Sequence, residues 1–135
     1  MEKFAWQDSY CLGVGFIDAQ HQKLFDIVNQ LIDCCQDENP VRSEQFHNIL
    51  SELFEYSRYH FDAEEGYMQI VGFPELEAHR DKHSTFIEDI TNLSLTVATD
   101  SLAHEKLLDF LTDWLLTHIL ESDMQIRHFL AGGQN

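Results

Sequence analysis

One stretch decides the fold: residues 76–97 read LEAHRDKHSTFIEDITNLSLTV. Apolar residues and histidines recur in it at alternating steps of three and four, at Leu76, His79, His83, Phe86, Ile90, Leu93 and Val97. That period places them on one face of an α-helix, while most intervening positions are charged or polar. The stretch therefore predicts a helix with a core-facing side, and two histidines belong to that side.

Three other segments show the same period, and none shows sustained strand-like alternation. Helices are predicted over about 19–37, 43–70, 74–97 and 101–131, interrupted by Pro40 and by Gly72-Phe73-Pro74. Asp18 is the predicted N-cap of the first helix. The predicted fold is all-α: an antiparallel up-down-up-down four-helix bundle with an irregular N-terminal arm. The 135 residues fit one domain, 1–135, with the arm at 1–17 and the bundle at 18–131.

The net charge and the cysteine pattern limit the possible binding partners and the cellular location of the protein. With 8 basic and 24 acidic residues, the net charge of -16 repels nucleic acid and anionic membranes, so neither is predicted as a partner. No apolar run reaches the roughly 18 residues of a membrane span, and no secretory signal pattern begins the sequence. Because Cys11, Cys34 and Cys35 match no disulfide framework, a reducing cytoplasm is the predicted location.

Polar side chains that can bind metal lie on the inner faces of the other helices too. His60 and Glu64 are one turn apart on the inner face of the second helix. His21 lies in line with apolar residues such as Leu24 and Val28 on the first helix. A carboxylate and two imidazoles are therefore predicted to enter the core beside His79 and His83.

The fourth predicted helix carries its two polar candidates at an unusual spacing. His118 lies on the apolar face of this helix, and Asp123 follows it by five positions. Five positions turn an ideal α-helix by roughly 140 degrees, so the two side chains share one site only if the helix widens locally or the site is broad. We therefore predict an irregularity of the helix near Glu121.

A bound cation accounts for so many polar groups in one core. Buried imidazoles and carboxylates cost several kcal/mol each when they are unpaired, and the chain has only 8 basic residues to pair with its acids. The remaining three histidines suit ordinary roles and are left out of the predicted site. His47 lies off the inner face, His104 lies in a polar first turn, and His128 lies near a helix C-terminus.

The number of candidate ligands predicts two metal ions. Tetrahedral zinc takes four ligands, whereas the inner faces offer five histidines and two carboxylates. Glu64 and Asp123 could bridge both ions together with an oxo or hydroxo group. Three histidines would then complete six positions around one ion, whereas the other two histidines would leave one position free on its partner. The division would place His79, His83 and His118 on one ion and His21 and His60 on its partner. Such ligands suit iron, although zinc, manganese and copper remain open by ligand type.

One family has the same arrangement of ligands. The chain resembles the hemerythrins, especially the single-domain bacterial members, in the motifs His21, His60-x-x-x-Glu64, His79-x-x-x-His83 and His118-x-x-x-x-Asp123. The resemblance extends from about Trp6 to about Leu130 and fills all seven ligand positions. It implies a non-heme diiron centre that binds dioxygen reversibly at the iron held by His21 and His60. It also implies an oxygen carrier, store or delivery protein rather than an enzyme, with an oxygen-consuming enzyme as a candidate partner.

By the same resemblance, Leu115 is the expected wall of the dioxygen pocket, three residues before His118. Ile119, Phe25 and Phe61 are further apolar candidates that would exclude water from the site. Ordinary core packing is an equally good interpretation of the two phenylalanines.

Two other functions remain open at the level of the sequence. The first is an oxygen or redox sensor, in which the state of the metal site moves the arm at 1–17 or changes the binding of a partner. The second is a diiron oxidase or ferroxidase on a ferritin-like bundle. Ferritin-like sites use two Glu-x-x-His motifs, whereas this chain has one such tetrad, at residues 44–47, away from the inner face.

Overall fold

Four long helices form the protein, as the sequence predicts. The computed structural model describes residues 3–35, 41–96 and 101–132. In it, α1 spans Gly15–Cys35, α2 spans Val41–Val71 and α3 spans Leu76–Thr96. The fourth helix of the bundle consists of α4, Ser101–Thr117, a π-helical segment, His118–Asp123, and α5, Met124–Leu130.

The helices pack as an antiparallel four-helix bundle. Helix α1 contacts α2 and α4, and α3 contacts the same two helices, so α1 and α3 lie on one diagonal of the bundle. The described residues contain no β-strand. None of the described helices is long and apolar enough to cross a membrane.

The apolar interior is divided into two clusters along the bundle. The larger one, called here the main cluster, is built around buried side chains such as Leu31, Phe86 and Leu111. The smaller one, the end cluster, lies where α2 turns into α3 and consists of Leu12, Ile17, Met68, Phe73 and Ile126. Burial stabilises the fold by roughly 1.5–3 kcal/mol for each large apolar side chain.

Helix α2 ends in a Schellman turn that also belongs to the end cluster. Gly72 has a φ of 72 degrees, a conformation that glycine adopts without steric cost. The N–H of Phe73 donates to the carbonyl of Met68 at 2.9 Å, and the N–H of Gly72 donates to Gln69 at 3.3 Å. Because Phe73 and Met68 are both buried in the end cluster, this turn fixes the direction in which α3 starts.

The predicted start of the first helix is wrong by four residues. The helix begins at Gly15 instead of residue 19, and Asp18 is not its N-cap. The buried carboxylate of Asp18 instead accepts hydrogen bonds from the backbone N–H groups of Leu12 at 2.7 Å and Gly13 at 3.2 Å. A short acidic side chain caps whichever free N–H groups lie nearest, and here they belong to the arm.

The arm is therefore shorter than the predicted 1–17. It is irregular from residue 3 to Val14, except for one turn of 3-10 helix at Asp8–Tyr10, and residues 1–2 lie outside the described part. The arm is tied to α1 by Asn29, whose amide donates to the carbonyl of Phe4 at 2.9 Å and accepts from its N–H at 2.7 Å.

The other predicted boundaries are closer to the observed ones. Helix α2 starts at Val41 and ends at Val71, whereas the prediction was 43–70. Helix α3 starts at Leu76 because Pro74 and Glu75 form a turn before it and not its first turn. The fourth bundle helix starts at the predicted Ser101 and ends at Leu130. The predicted ends at 37 and 97 lie outside the described residues.

Candidate metal centre

The bundle brings all seven predicted ligand residues together in a layer between the main cluster and the end cluster. They are His21 from α1, His60 and Glu64 from α2, His79 and His83 from α3, and His118 and Asp123 from the π-helical segment. None of them is more than 4% exposed. This layer is the most polar part of an otherwise apolar interior.

The potential ligand atoms form two overlapping groups, and within each group they all lie within 4.8 Å of one another. One group contains three imidazoles, from His79, His83 and His118, and the other contains two, from His21 and His60. Glu64 and Asp123 belong to both groups. The site thus divides into a three-histidine side and a two-histidine side that share two carboxylates.

The π-helical segment places the ligands of the fourth bundle helix on one side. The irregularity predicted near Glu121 is confirmed, because His118–Asp123 forms a π-helix, in which the hydrogen bonds join residues five apart. Residues that begin and end such a turn face in similar directions. The wider turn therefore lets His118 and Asp123 point to the same place despite their spacing.

Each carboxylate directs one oxygen to each side of the site. Glu64 Oε2 lies 3.3 Å from His21 Nε2 and 3.1 Å from His60 Nε2, while Glu64 Oε1 lies 3.3 Å from His83 Nε2. Asp123 Oδ2 lies 3.0 Å from His21 Nε2, and its Oδ1 lies 2.6 Å from His79 Nε2. Both carboxylates therefore have the orientation of groups that bridge two centres.

Several of these atoms lack hydrogen-bond partners among the described residues. They are both ring nitrogens of His21, Nε2 of His60, both carboxylate oxygens of Glu64 and Oδ2 of Asp123. Nε2 atoms of His83 and His118 also face each other at 3.0 Å. Buried polar atoms without partners are rare and costly in proteins. Cations in the middle of the layer would satisfy all of these atoms except Nδ1 of His21, whose ring faces the carboxylates with Nε2, so the donor set fits a pair of metal ions.

The electrostatics of the metal-free cluster show the same excess of negative charge. Burial opposes charging of His21 and His79, but the nearby carboxylates of Asp123 and Glu64 outweigh it and raise both pKa values to about 9. Burial also opposes ionisation of Glu64 and Asp123, but neighbouring histidines including His118 hold both pKa values below normal. Burial lowers the pKa of His60. Without metal, the two carboxylates are thus balanced by protonated imidazoles.

Two side chains outside the predicted set of site residues orient the ligands. Nδ1 of His60 donates to Oε1 of Gln20 at 2.7 Å, and Nδ1 of His83 donates to Oε2 of Glu65 at 2.8 Å. These bonds leave the Nε2 atoms of both rings free to face the site. Gln20 precedes the ligand His21 and Glu65 follows the ligand Glu64, but adjacency in sequence does not reveal contacts between helices.

The three histidines left out of the prediction lie outside both groups. His47 is exposed on α2, and His128 is exposed on α5. The ring of His104 packs 4.5 Å from that of Phe46.

The four predicted pocket residues are all buried but do not share one cavity. Leu115 and Phe61 line a cavity of about 10 Å³ in the main cluster, whereas Ile119 and Phe25 are not part of its lining. Phe61 also stacks on His83, with the ring centroids 3.9 Å apart. Phe25 instead faces the arm, where its ring lies 5.3 Å from that of Trp6.

Fold and side chains together define a metal-binding four-helix bundle whose site is enclosed by its helices. The family model described as the hemerythrin HHE cation binding domain matches residues 12–127. The chain therefore belongs to the hemerythrin family, whose members bind a pair of non-heme irons.

Relatives at both the sequence and the structural level cover nearly the whole chain. It is 33% identical over 125 residues to a bacteriohemerythrin from Clostridium acetobutylicum, with 90% of this chain and 97% of that protein covered. It is 32% identical over 127 residues to a hemerythrin-like protein from Naegleria gruberi, with 94% and 93% covered. A crystal structure of wild-type hemerythrin superposes with a TM-score of 0.79 at 28% identity, covering 90% of this chain and 93% of the other.

Proposed function

We propose that this protein binds dioxygen reversibly at a pair of non-heme irons. Hemerythrin is a dioxygen-binding family, and the matched relatives named bacteriohemerythrin span almost the same length as this chain. The observation that carries the proposal is the unequal division of the site, three imidazoles on one side and two on the other, around two shared carboxylates. That division would leave one iron with fewer protein ligands than its partner.

The proposed irons are assigned to the two sides of the layer. His79, His83 and His118 would hold one iron, His21 and His60 would hold the other, and Glu64 and Asp123 would bridge them with an oxo or hydroxo group. When bound, the iron pair supplies the two electrons that reversible dioxygen binding requires. Because the two-histidine side offers one imidazole fewer, it is the proposed place for dioxygen.

The surroundings of the site favour binding over catalysis. In the described part of the chain, the ion-pair partners of Glu64 and Asp123 are histidines, and no lysine or arginine pairs with either carboxylate. The main cluster and the end cluster enclose the layer with apolar side chains. Exclusion of water disfavours protonation and loss of reduced oxygen species. We therefore propose a carrier, store or delivery protein and not an enzyme.

The small cavity in the main cluster is the proposed pocket for dioxygen. Phe61 in its lining lies between the two sides, with its ring 5.8 Å from that of His60 and 3.9 Å from that of His83. Leu115, another lining residue, precedes the ligand His118 by three positions. A cavity of about 10 Å³ is close to the smallest that holds one water molecule. Dioxygen would therefore enter by small movements of these side chains. Ile119 and Phe25 are proposed to exclude water from the surrounding core.

An absorption spectrum tests reversible binding. Anaerobically reduced, iron-loaded protein is measured, exposed to air, and then returned to argon. A visible charge-transfer band that appears in air and disappears under argon, over several cycles, supports the proposal. Irreversible oxidation in the first cycle, or steady consumption of dioxygen with an added reductant, would contradict it and favour a diiron oxidase or ferroxidase.

A sensor is the second candidate, and the arm is the observation that favours it. Trp6 and Tyr10 of the arm pack on Phe25, one turn after the ligand His21 on α1. A change at the metal site could therefore be passed to the arm. Tryptophan fluorescence and protease sensitivity of the arm distinguish the two functions. Equal values in reduced and oxygenated protein count against a sensor.

The proposal also includes the location, the partners and the domain organisation of the protein. In the described part of the chain, Cys11, Cys34 and Cys35 form no disulfide, which fits the proposed cytoplasmic location. The net charge of -16 disfavours nucleic acid as a partner. An oxygen-consuming enzyme is the proposed recipient of dioxygen, and residues 1–135 are proposed to act as one domain.

A further inference from the structure

The two outer hydrogen bonds that orient ligand histidines differ in charge. His60, on the two-histidine side, donates its Nδ1–H to the neutral amide of Gln20 at 2.7 Å. His83, on the three-histidine side, donates to the carboxylate of Glu65 at 2.8 Å. A carboxylate that accepts the outer proton of an imidazole makes the inner nitrogen a stronger electron donor than a neutral amide does. The two sides therefore differ in donor strength as well as in the number of imidazoles.

Glu65 is itself fixed by a chain of ion pairs that leads to the surface. Arg80 Nε lies 3.3 Å from Glu65 Oε1, and Arg80 Nη1 lies 2.6 Å from Glu77 Oε1. The exposed fraction of the side chain rises along this chain, from 20% at Glu65 to 38% at Arg80 and 80% at Glu77. Arg80 thus holds Glu65 against a ligand ring from outside the core.

The ring of His83 is also fixed from its other side. Phe61 stacks on it with a centroid distance of 3.9 Å and an angle of 5 degrees between the rings. A groove of about 350 Å³ between α2 and α3 exposes the Glu65 end of this arrangement to solvent. His83 is therefore held by an aromatic face and by a charged acceptor, and only the acceptor changes its donor strength.

We propose that Glu65 is a positioning residue for the metal site, which fixes His83 and strengthens it as a ligand of the three-histidine side. The metal on this side is then bound more tightly and stabilised in its oxidised state, while the side oriented by Gln20 remains the more weakly bound one. This inference rests on the proposed function in requiring two metal ions in the layer. It adds a carboxylate, held in place by Arg80, that makes His83 a stronger ligand than a histidine with a neutral acceptor.

Zinc release tests the inference without any dioxygen chemistry. Zinc-loaded protein is mixed with a chromophoric chelator, and release is followed for the wild type, Glu65→Gln, Gln20→Ala and Glu77→Gln. We expect two phases, with the slower one accelerated about 10–100-fold in E65Q and the faster one accelerated in Q20A. The matched control E77Q removes the same charge at the exposed end of the chain and leaves both phases unchanged.

The zinc experiment distinguishes failure of the role of Glu65 from failure of the proposed function. Two zinc ions per chain with release from E65Q at the wild-type rate would overturn the role of Glu65 alone. Fewer than two ions in the wild type would overturn the proposed function as well. If circular dichroism shows that E65Q does not fold, Arg80→Gln takes its place, and acceleration of the slower phase is again expected.

The midpoint potential supplies a readout that a purely structural role would not change. In iron-loaded protein, loss of the carboxylate in E65Q weakens electron donation from His83 and raises the midpoint potential measured by spectroelectrochemistry. E77Q should keep the wild-type potential, because its side chain is 80% exposed and screened by water. Equal potentials in wild type and E65Q, with both proteins folded and loaded, would overturn the inference.

Discussion

His79 shows how one side chain contacts both shared carboxylates of the site. Its Nε2 lies 2.6 Å from Asp123 Oδ1 and 3.5 Å from Glu64 Oε1, so it contacts both carboxylates from α3. An alanine at this position removes a proposed ligand and leaves two buried acids with one partner fewer. The effect should therefore appear first in the metal content.

We expect His79→Ala to lower the metal content from two ions per chain to one or none. Elemental analysis of protein purified and reconstituted with ferrous iron measures this. His47→Ala is the matched control, because it removes a histidine from an exposed position on α2. Full iron content in H79A would remove this residue from the site.

Asp18, which is not a candidate ligand, contributes to the stability of the fold. Its carboxylate accepts from two backbone N–H groups of the arm, at 2.7 and 3.2 Å, and Asp18→Ala would leave the donor of Leu12 buried and unpaired. We expect D18A to lower the free energy of unfolding by about 2 kcal/mol. Chemical denaturation of D18A and of Asp26→Ala, an exposed position on the same helix, measures the difference. Equal losses in both would contradict the role of Asp18 as the anchor of the arm.

Among the structural elements, the π-helical segment is the irregularity that the spacing of His118 and Asp123 predicted. A π-turn holds one residue more than the α-helical turn that it replaces, so removal of one residue should restore a regular helix without rotating its flanks. Leu120 is 43% exposed within the segment, so its removal takes little from the core.

We expect deletion of Leu120 to preserve the fold and the binding of two metal ions. His118 and Asp123 would then be four positions apart, which on an α-helix is a rotation of about 40 degrees. Deletion of the exposed Asp113 in α4 is the control, because it rotates every later residue by about 100 degrees and should abolish metal binding. Crystal structures and metal analysis of both deletions provide the test. Loss of metal from the Leu120 deletion would show that the wide turn itself is required.

The sequence predicted those elements and site residues that depend on local periodicity. Steps of three and four define the inner faces of the helices, and the five-residue step from His118 to Asp123 indicates a locally wider turn. The start of α1 was missed because a capping residue is recognised by type, and Asp18 caps the arm instead of its own helix. Gln20 and Glu65 were missed as orienting residues because their partners lie on other helices, at distances that no spacing within one helix encodes.

For the whole molecule, the layer of ligand residues makes the free energy of unfolding depend on pH, and this dependence differs between metal-free and metal-loaded protein. In metal-free protein the pKa values of His21 and His79 are raised to about 9 from the usual 6.5, so their stabilising protonation is complete below pH 6.5 and is lost as the pH rises to 9. The pKa values of Glu64 and Asp123 are lowered, so their contribution is lost in acid. In metal-loaded protein the imidazoles are neutral ligands throughout the alkaline range.

We therefore expect the melting temperature of metal-free protein to fall between pH 6.5 and pH 9. The loaded protein should melt higher, with little change over this range, and should lose its advantage in acid as protons displace the metal. Thermal unfolding of both forms from pH 4 to 9 gives the comparison. A chelator that leaves the melting curve unchanged, or a metal-free form that gains stability toward pH 9, would contradict the buried site.

The division of the interior into two clusters has a consequence for how the protein gains and loses its metal. Among the residues that the structure describes, five buried apolar side chains form the end cluster, and the polar layer separates them from the much larger main cluster. Without cations to hold that layer, the small end of the bundle should fray first, and its amide protons should exchange with deuterium before those of the main cluster. Binding of metal should therefore slow exchange most at the amides of the small end, where the layer meets the end cluster.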